Sequence, residues 1–152
     1  MYLGDNMKIG IASDHRGYKL KNRLIKKLES DDIQVLDVGT TTSDRCDYTK
    51  YAKALTEKVK NKECDFGIAI CGTGIGMSIA CNKVKGIYCA KISSINDARY
   101  AKRHNYANVL AFGEKTSLRK AYLMVKEFIN NENDKDKSYV KRINDIKEME
   151  ND

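Results

Sequence analysis

The residues best suited to chemistry cluster at Cys71-Gly72-Thr73-Gly74-Ile75-Gly76. Glycine tolerates positive φ and close approach, so a G-x-G-x-G loop can turn successive amide N–H groups onto one anion. A short helix expected over 76–82 would present its positive end to the same point. The spacing is not the dinucleotide fingerprint, and the loop lacks the Gly-Lys-Ser/Thr of a P-loop. Its own chemistry is that of an oxyanion or phosphate cradle; the alternative is a tight turn required by packing. Cys71 stands immediately before these amides, where the field of the following helix favours a negatively charged sulfur. Such a sulfur suits a general base or a nucleophile, the alternative being a buried strand cysteine.

His15 and His104 are the two histidines, and both lie in polar surroundings at expected strand or helix ends. An acid–base or ligand-contacting role suits them better than a place in the core. With no acidic cluster beside them they make a poor metal site, so no metal is expected. The remaining thiols, Cys46, Cys64, Cys81 and Cys89, lack C-x-x-C spacing. They read as reduced, small apolar residues rather than a disulfide framework or a zinc site.

Positioning these groups requires a scaffold, and the chain supplies one. Apolar runs of strand length recur at 9–13, 33–36, 66–70, 87–90 and 108–112, with helical stretches between them. Alternation of strand and helix implies a parallel sheet covered on both faces, with ligands held outside the carboxyl ends of the strands. Asp14-His15-Arg16-Gly17 follows the first strand and the glycine-rich loop follows the third. His104-Asn105 closes the fourth helix just before the fifth strand. The first helix is amphipathic, with Tyr18, Leu20, Leu24, Ile25 and Leu28 set among lysines. Further helices are expected from Asp47 or Tyr48 to Val59, from Asn96 to His104, and from about Ser117 to Ile129 with Thr116 or Ser117 as N-cap. A wholly polar stretch, 130–137, reads as a linker to a last helix over 138–149, whose Val140, Ile143, Ile146 and Met149 form an apolar stripe. The organisation is therefore a short extension, 1–6, and one domain, 7–149.

At 152 residues with a net charge of +7, the chain could bury one ordinary core and carry an anionic partner. The positive surplus is spread along the chain without a like-charge block, which argues against a nucleic-acid module. No run approaches the roughly 18 apolar residues of a membrane span, and the N-terminus lacks the pattern of a secretory signal, so a cytoplasmic protein is expected.

The ordered set Ser13-Asp14-His15-Arg16-Gly17, Asp37-Val38-Gly39-Thr40, Asp47-Tyr48, Ile70 to Gly76, Ala80-Cys81-Asn82-Lys83 and Arg103-His104-Asn105, with 108–113, resembles ribose-5-phosphate isomerase type B. Galactose-6-phosphate isomerase subunits share much of this pattern. The resemblance implies a Rossmann-like three-layer α/β/α domain with a five-stranded parallel sheet and an extra C-terminal helix. It also implies interconversion of ribose 5-phosphate and ribulose 5-phosphate through an enediolate, in the non-oxidative pentose phosphate pathway, without cofactor or metal. Carried over by motif, Cys71 is the base, His104 assists ring opening, and Thr73 joins the amides of Gly72, Gly74, Ile75 and Gly76 in stabilising negative charge on oxygen. Asp14 and Asn105 would contact sugar hydroxyls, His15 the phosphate region, and Tyr48 the wall of the site. Arg142 would reach the phosphate of a partner subunit in a homodimer or a dimer of dimers.

The chain also departs from that family's pattern. Ser138 stands where a first phosphate arginine is usual, with Lys137 or Lys141 as possible substitutes, and Tyr88, Tyr106 and Thr49 replace arginine, aspartate and proline. Two further readings follow from the same residues. One is an isomerase of a six-carbon sugar, allose or galactose 6-phosphate; the other is a non-catalytic sugar-phosphate-binding module, which would keep the loop and lose the base.

Overall fold

Ile, Val and Ala runs without intervening charge demand burial on both faces, and in the structure, a computed structural model describing residues 7–152, they form the centre of a sheet. Among the described residues the strands are β1 (Lys8–Ser13), β2 (Gln34–Gly39), β3 (Phe66–Cys71), β4 (Cys89–Lys91) and β5 (Val109–Gly113). The helices are α1 (Tyr18–Glu29), α2 (Tyr48–Lys60), α3 (Ile75–Cys81), α4 (Ile95–Arg103), α5 (Leu118–Ile129) and α6 (Lys137–Met149). The expected extension 1–6 lies outside the described residues.

All neighbouring strands are parallel, in the order β2-β1-β3-β5-β4. The chain leaves β1 toward one edge and returns at β3 to continue toward the other. The carboxyl ends of β1 and β3 therefore flank the point where strand order reverses, and connections diverging there leave a crevice.

Alternation along each strand sorts the core into two layers. Ile68 and Ile70 of β3 pack with Leu24 and Leu28 of α1 and with Met124 and Phe128 of α5. Ala69 and Cys71 face the other way, toward Ala52 and Leu55 of α2 and Met77 and Cys81 of α3. Burying each of these large aliphatic side chains contributes about 1.5–3 kcal/mol. The result is the three-layer α/β/α arrangement expected, with Cys71 on the α2–α3 side.

Two boundaries differ from expectation because side chains from elsewhere in the chain hold them. The strand expected at 87–90 begins only at Cys89, because Gly86 and Tyr88 are held by the side chain of Asn108, whose Oδ1 accepts from Tyr88 N at 2.9 Å. At the other edge β2 runs on to Gly39, where the buried Lys21 reaches Asp37 at 2.8 Å.

The polar stretch before α6 is pinned rather than loose. The Asp134 amide donates to Arg103 O at 2.8 Å, and Tyr106 Oη donates to Asp134 O at 2.6 Å. Asp136 then caps α6, accepting from Ser138 N at 2.9 Å. Of the expected apolar stripe only Ile143 is buried. Val140 and Ile146 are 37% exposed and Met149 67%.

Candidate active site

Register fixes the first pair of functional groups. Ser13 lies opposite Ile70, so Asp14 and Cys71 come side by side at the strand ends. The backbone binds them further: Asp14 N donates to Ile70 O at 3.2 Å, and Gly17 N donates to the Asp14 carboxylate at 3.1 Å. Asp14 is thus held on a short turn at the carboxyl end of the sheet while still lining the cleft beside Cys71.

That cleft, of about 570 Å³, is lined by Asp14, His15, Tyr48, Cys71, Gly72, Thr73 and Gly76 among the residues expected from sequence. Gly74 turns the loop: its φ of +86° is left-handed, and a Cβ there would stand 2.7 Å from the Phe112 backbone. The turn points its amide back at the strand end, where Gly74 N donates to Cys71 Sγ at 3.2 Å. Ile75 N donates to Thr73 Oγ1 at 3.1 Å. Gly76 leaves room for the Tyr48 ring, whose Cζ would lie 2.6 Å from a Cβ at that position. The loop therefore presents a buried sulfur with an N–H donor aimed at it, beneath an aromatic wall.

Two other thiols sit in surroundings that keep them protonated. Burial holds Cys64 above the ordinary thiol range, and Cys89 is raised by its hydrogen bond with Cys81 and by burial. Cys71 is thus set apart by geometry as well as by position.

His15 is fixed on the segment before α2, with Nδ1 3.2 Å from both the amide nitrogen and the carbonyl oxygen of Cys46. Arg16 pairs with Glu114 across the outside of Gly72. Arg16, Arg45, Cys46 and Asp47 line the cleft although sequence reasoning named none of them as site residues. Their signal was positional: each lies on the loop after β1 or the loop leading into α2, both at the carboxyl end of the sheet. Cys46, read as a packing residue, is half-buried in the cleft wall. With Arg16 already paired to Glu114, Arg45 is the cation of this wall that no carboxylate among the described residues neutralises, beside the N–H donors of the glycine loop.

The remaining expected residues gather elsewhere. His104 ends α4 and precedes β5, whose first residue Val109 pairs with Gly67 while Gly113 pairs with Cys71. At about 3.3 Å per residue, that separates His104 from the Cys71 end of the sheet by at least about 13 Å. Its ring is stacked between Tyr100 at 4.9 Å and Tyr139 of α6 at 4.3 Å, and the Arg142 guanidinium lies 5.8 Å from the Tyr139 ring. Exposed Asn105 follows directly. His104, Asn105 and Arg142 thus form a second group around Tyr139, which sequence reasoning did not single out, and within one chain this group does not meet Cys71.

The chain is similar to known proteins over most of its length. Residues 9–146 match the family model described as Ribose/Galactose Isomerase. The chain is 43% identical over 108 residues to ribose-5-phosphate isomerase B of Escherichia coli, covering 71% of this chain and 72% of that protein. Its backbone is similar to that of Clostridium thermocellum ribose-5-phosphate isomerase B, with TM-score 0.91 and 40% identity over 95% of this chain and 98% of the other. The ribose 5-phosphate isomerase of Thermotoga maritima gives TM-score 0.91 and 38% identity over 94% and 99%.

Proposed function

Because this chain belongs to the Ribose/Galactose Isomerase family, we propose that it is an aldose–ketose isomerase interconverting ribose 5-phosphate and ribulose 5-phosphate, with Cys71 as the base. The observation that carries this reading is the 3.2 Å contact from Gly74 N to Cys71 Sγ in a cleft shared with Asp14 and His15.

In the open-chain aldose the thiolate removes the C2 proton, and the electron pair moves to the carbonyl oxygen to give an enediolate. Loop amides at 72–76, with Thr73, meet the negative charge on that oxygen; removing one such preorganised donor typically costs about 10²–10³ in rate. The O2 hydroxyl proton then passes to O1 as the Cys71 thiol delivers a proton to C1 and the C2 carbonyl forms, so the ketose results without net redox change. Asp14 orients sugar hydroxyls, Tyr48 closes the wall, and His15 faces the phosphate end. No cofactor or metal takes part in this sequence.

Ring opening is assigned to His104, and phosphate binding to Arg142, both from a second subunit. Support comes from the separation of these residues from Cys71 within one chain and from apolar surface left open near both groups. Ile75 and Ile79 on α3 are 54% and 59% exposed, and Val140, Ile146 and Met149 on α6 are also exposed. A homodimer would cover such patches and complete two sites at once. A cytoplasmic setting suits a reaction that depends on a reduced thiol.

A coupled assay separates the readings of substrate. Ribose 5-phosphate should be converted at least about tenfold more efficiently, in kcat/KM, than allose 6-phosphate or galactose 6-phosphate. A reversed ranking would assign the chain to six-carbon sugars, and no turnover of any of the three would favour a binding module.

A further inference from the structure

A second cavity, of about 630 Å³, opens at the other end of the sheet, between α6 and the residues that enter β3 and β5. Its wall carries Lys60, Lys62, Lys85, Lys102 and Lys147, and its one carboxylate, Asp65, already accepts from the Lys8 amide at 2.8 Å. Among the described residues no carboxylate lies within ion-pairing distance of any of these five lysines. Lys85 reaches only an amide oxygen, that of Asn151, at 3.1 Å. Glu132 lies near enough to attract Lys102 without pairing with it, and Glu150, outside the cavity wall, accepts from Gly86 N at 3.2 Å.

Lys102 is the decisive member. It is 7% exposed, its Nζ donates to Phe128 O at 3.2 Å, and it stands 3.9 Å and 4.7 Å from the ring centres of Phe66 and Phe128. Of the three donors of its ammonium one meets an oxygen, that of Phe128, and the two rings attract it only through their faces. Burial accordingly pushes its pKa down to about 8. Negative helix ends explain why lysines gather where α2, α4 and α6 terminate, but each end supplies only about half a charge. They do not account for a buried lysine that shares one cavity wall with four more.

We propose that this cavity binds a small polyanion bearing at least two phosphoryl groups, at a site separate from the Cys71 cleft. The volume falls within the roughly 300–1,000 Å³ of small-molecule sites and far exceeds one phosphate. Lysines arriving from α2, α4, α6 and the α3–β4 loop surround a ligand as point charges, which suits several phosphoryl groups better than one planar carboxylate. Such a ligand would also tie Lys147 of α6 to Lys85 and Lys102 of the body.

Inorganic pyrophosphate is the probe, titrated calorimetrically into the full chain at low salt with ribose 5-phosphate present to occupy the cleft. Binding of about one pyrophosphate per chain is expected, weakened at least about tenfold by the double change Lys85→Ala, Lys147→Ala and similarly by Lys102→Met. The double variant should convert ribose 5-phosphate at the wild-type rate. Should Lys102→Met fail to fold, the double variant decides alone. Pyrophosphate affinity unchanged in the double variant, binding abolished by ribose 5-phosphate, or no heat up to about 10 mM would each overturn the site. Heat is read independently of turnover, so failure here is distinct from failure of the isomerase reading.

Discussion

Cys71→Ala is expected to lower turnover of ribose 5-phosphate by at least about 10³-fold while substrate binding stays within about threefold of wild type. A positioned general base typically contributes about 10²–10⁴ in rate, and the thiol here has no substitute within the loop. Binding survives because Asp14 and His15 are held by contacts that do not involve the Cys71 sulfur, Asp14 N to Ile70 O at 3.2 Å, Gly17 N to the Asp14 carboxylate at 3.1 Å and Cys46 N to His15 Nδ1 at 3.2 Å, while the left-handed Gly74 keeps the loop turned. Turnover and binding measured on the same preparation separate the outcomes, and parallel loss of both would make Cys71 structural. Alkylation of Cys71 should also be slowed by substrate. Peptide mapping is required there, since Cys46 lines the same cleft.

The second large effect concerns completion of the site across subunits. Cys71→Ala and Arg142→Ala proteins, each weakly active alone, should regain activity when mixed under conditions that exchange subunits. Random pairing of equal amounts gives roughly one half mixed dimers, each with one intact site of two, so recovery should approach roughly one quarter of wild type. Because His104 and Arg142 flank the same Tyr139 ring at 4.3 Å and 5.8 Å, His104→Asn should complement Cys71→Ala in the same way. No recovery after independently confirmed exchange would place Arg142 in its own subunit's site or outside any site.

What the sequence made legible was the part governed by short-range pattern. Strands β1, β3 and β5 are uninterrupted apolar runs whose burial leaves little choice, and α1 and α5 carry unmistakable apolar faces; Ser117 caps α5 as expected, accepting from Lys120 N at 3.1 Å. The cleft was legible for the same reason, since the end of a parallel strand followed by glycines dictates where Cys71 and the loop amides go. Less legible was anything set by distant side chains. The start of β4 depends on Asn108, twenty residues away, and the apparent linker is anchored through Tyr106 and Arg103. Arg16 and Arg45 reach the cleft only because the loops after β1 and before α2 converge, which no local spacing encodes. His104 closes α4 just before β5, as its place in the chain implies, and so lies at the opposite end of the sheet from the Cys71 loop, because α4 must run back to the entry of β5. The exposed members of the α6 stripe show why a single chain leaves that half of the reading open: one residue, Ile143, suffices to dock the helix.

Solvent hydrogen exchange tests the central claim most directly. Ribose 5-phosphate incubated with the wild-type chain in D₂O and followed by proton NMR should yield ribulose 5-phosphate with deuterium entering at C1, as expected when Cys71 carries the proton through an enediolate. Cys71→Ala should show neither conversion nor exchange above background. A wild-type chain inert toward ribose 5-phosphate, or a Cys71→Ala protein that exchanges the C1 hydrogen as fast as wild type, would contradict the account.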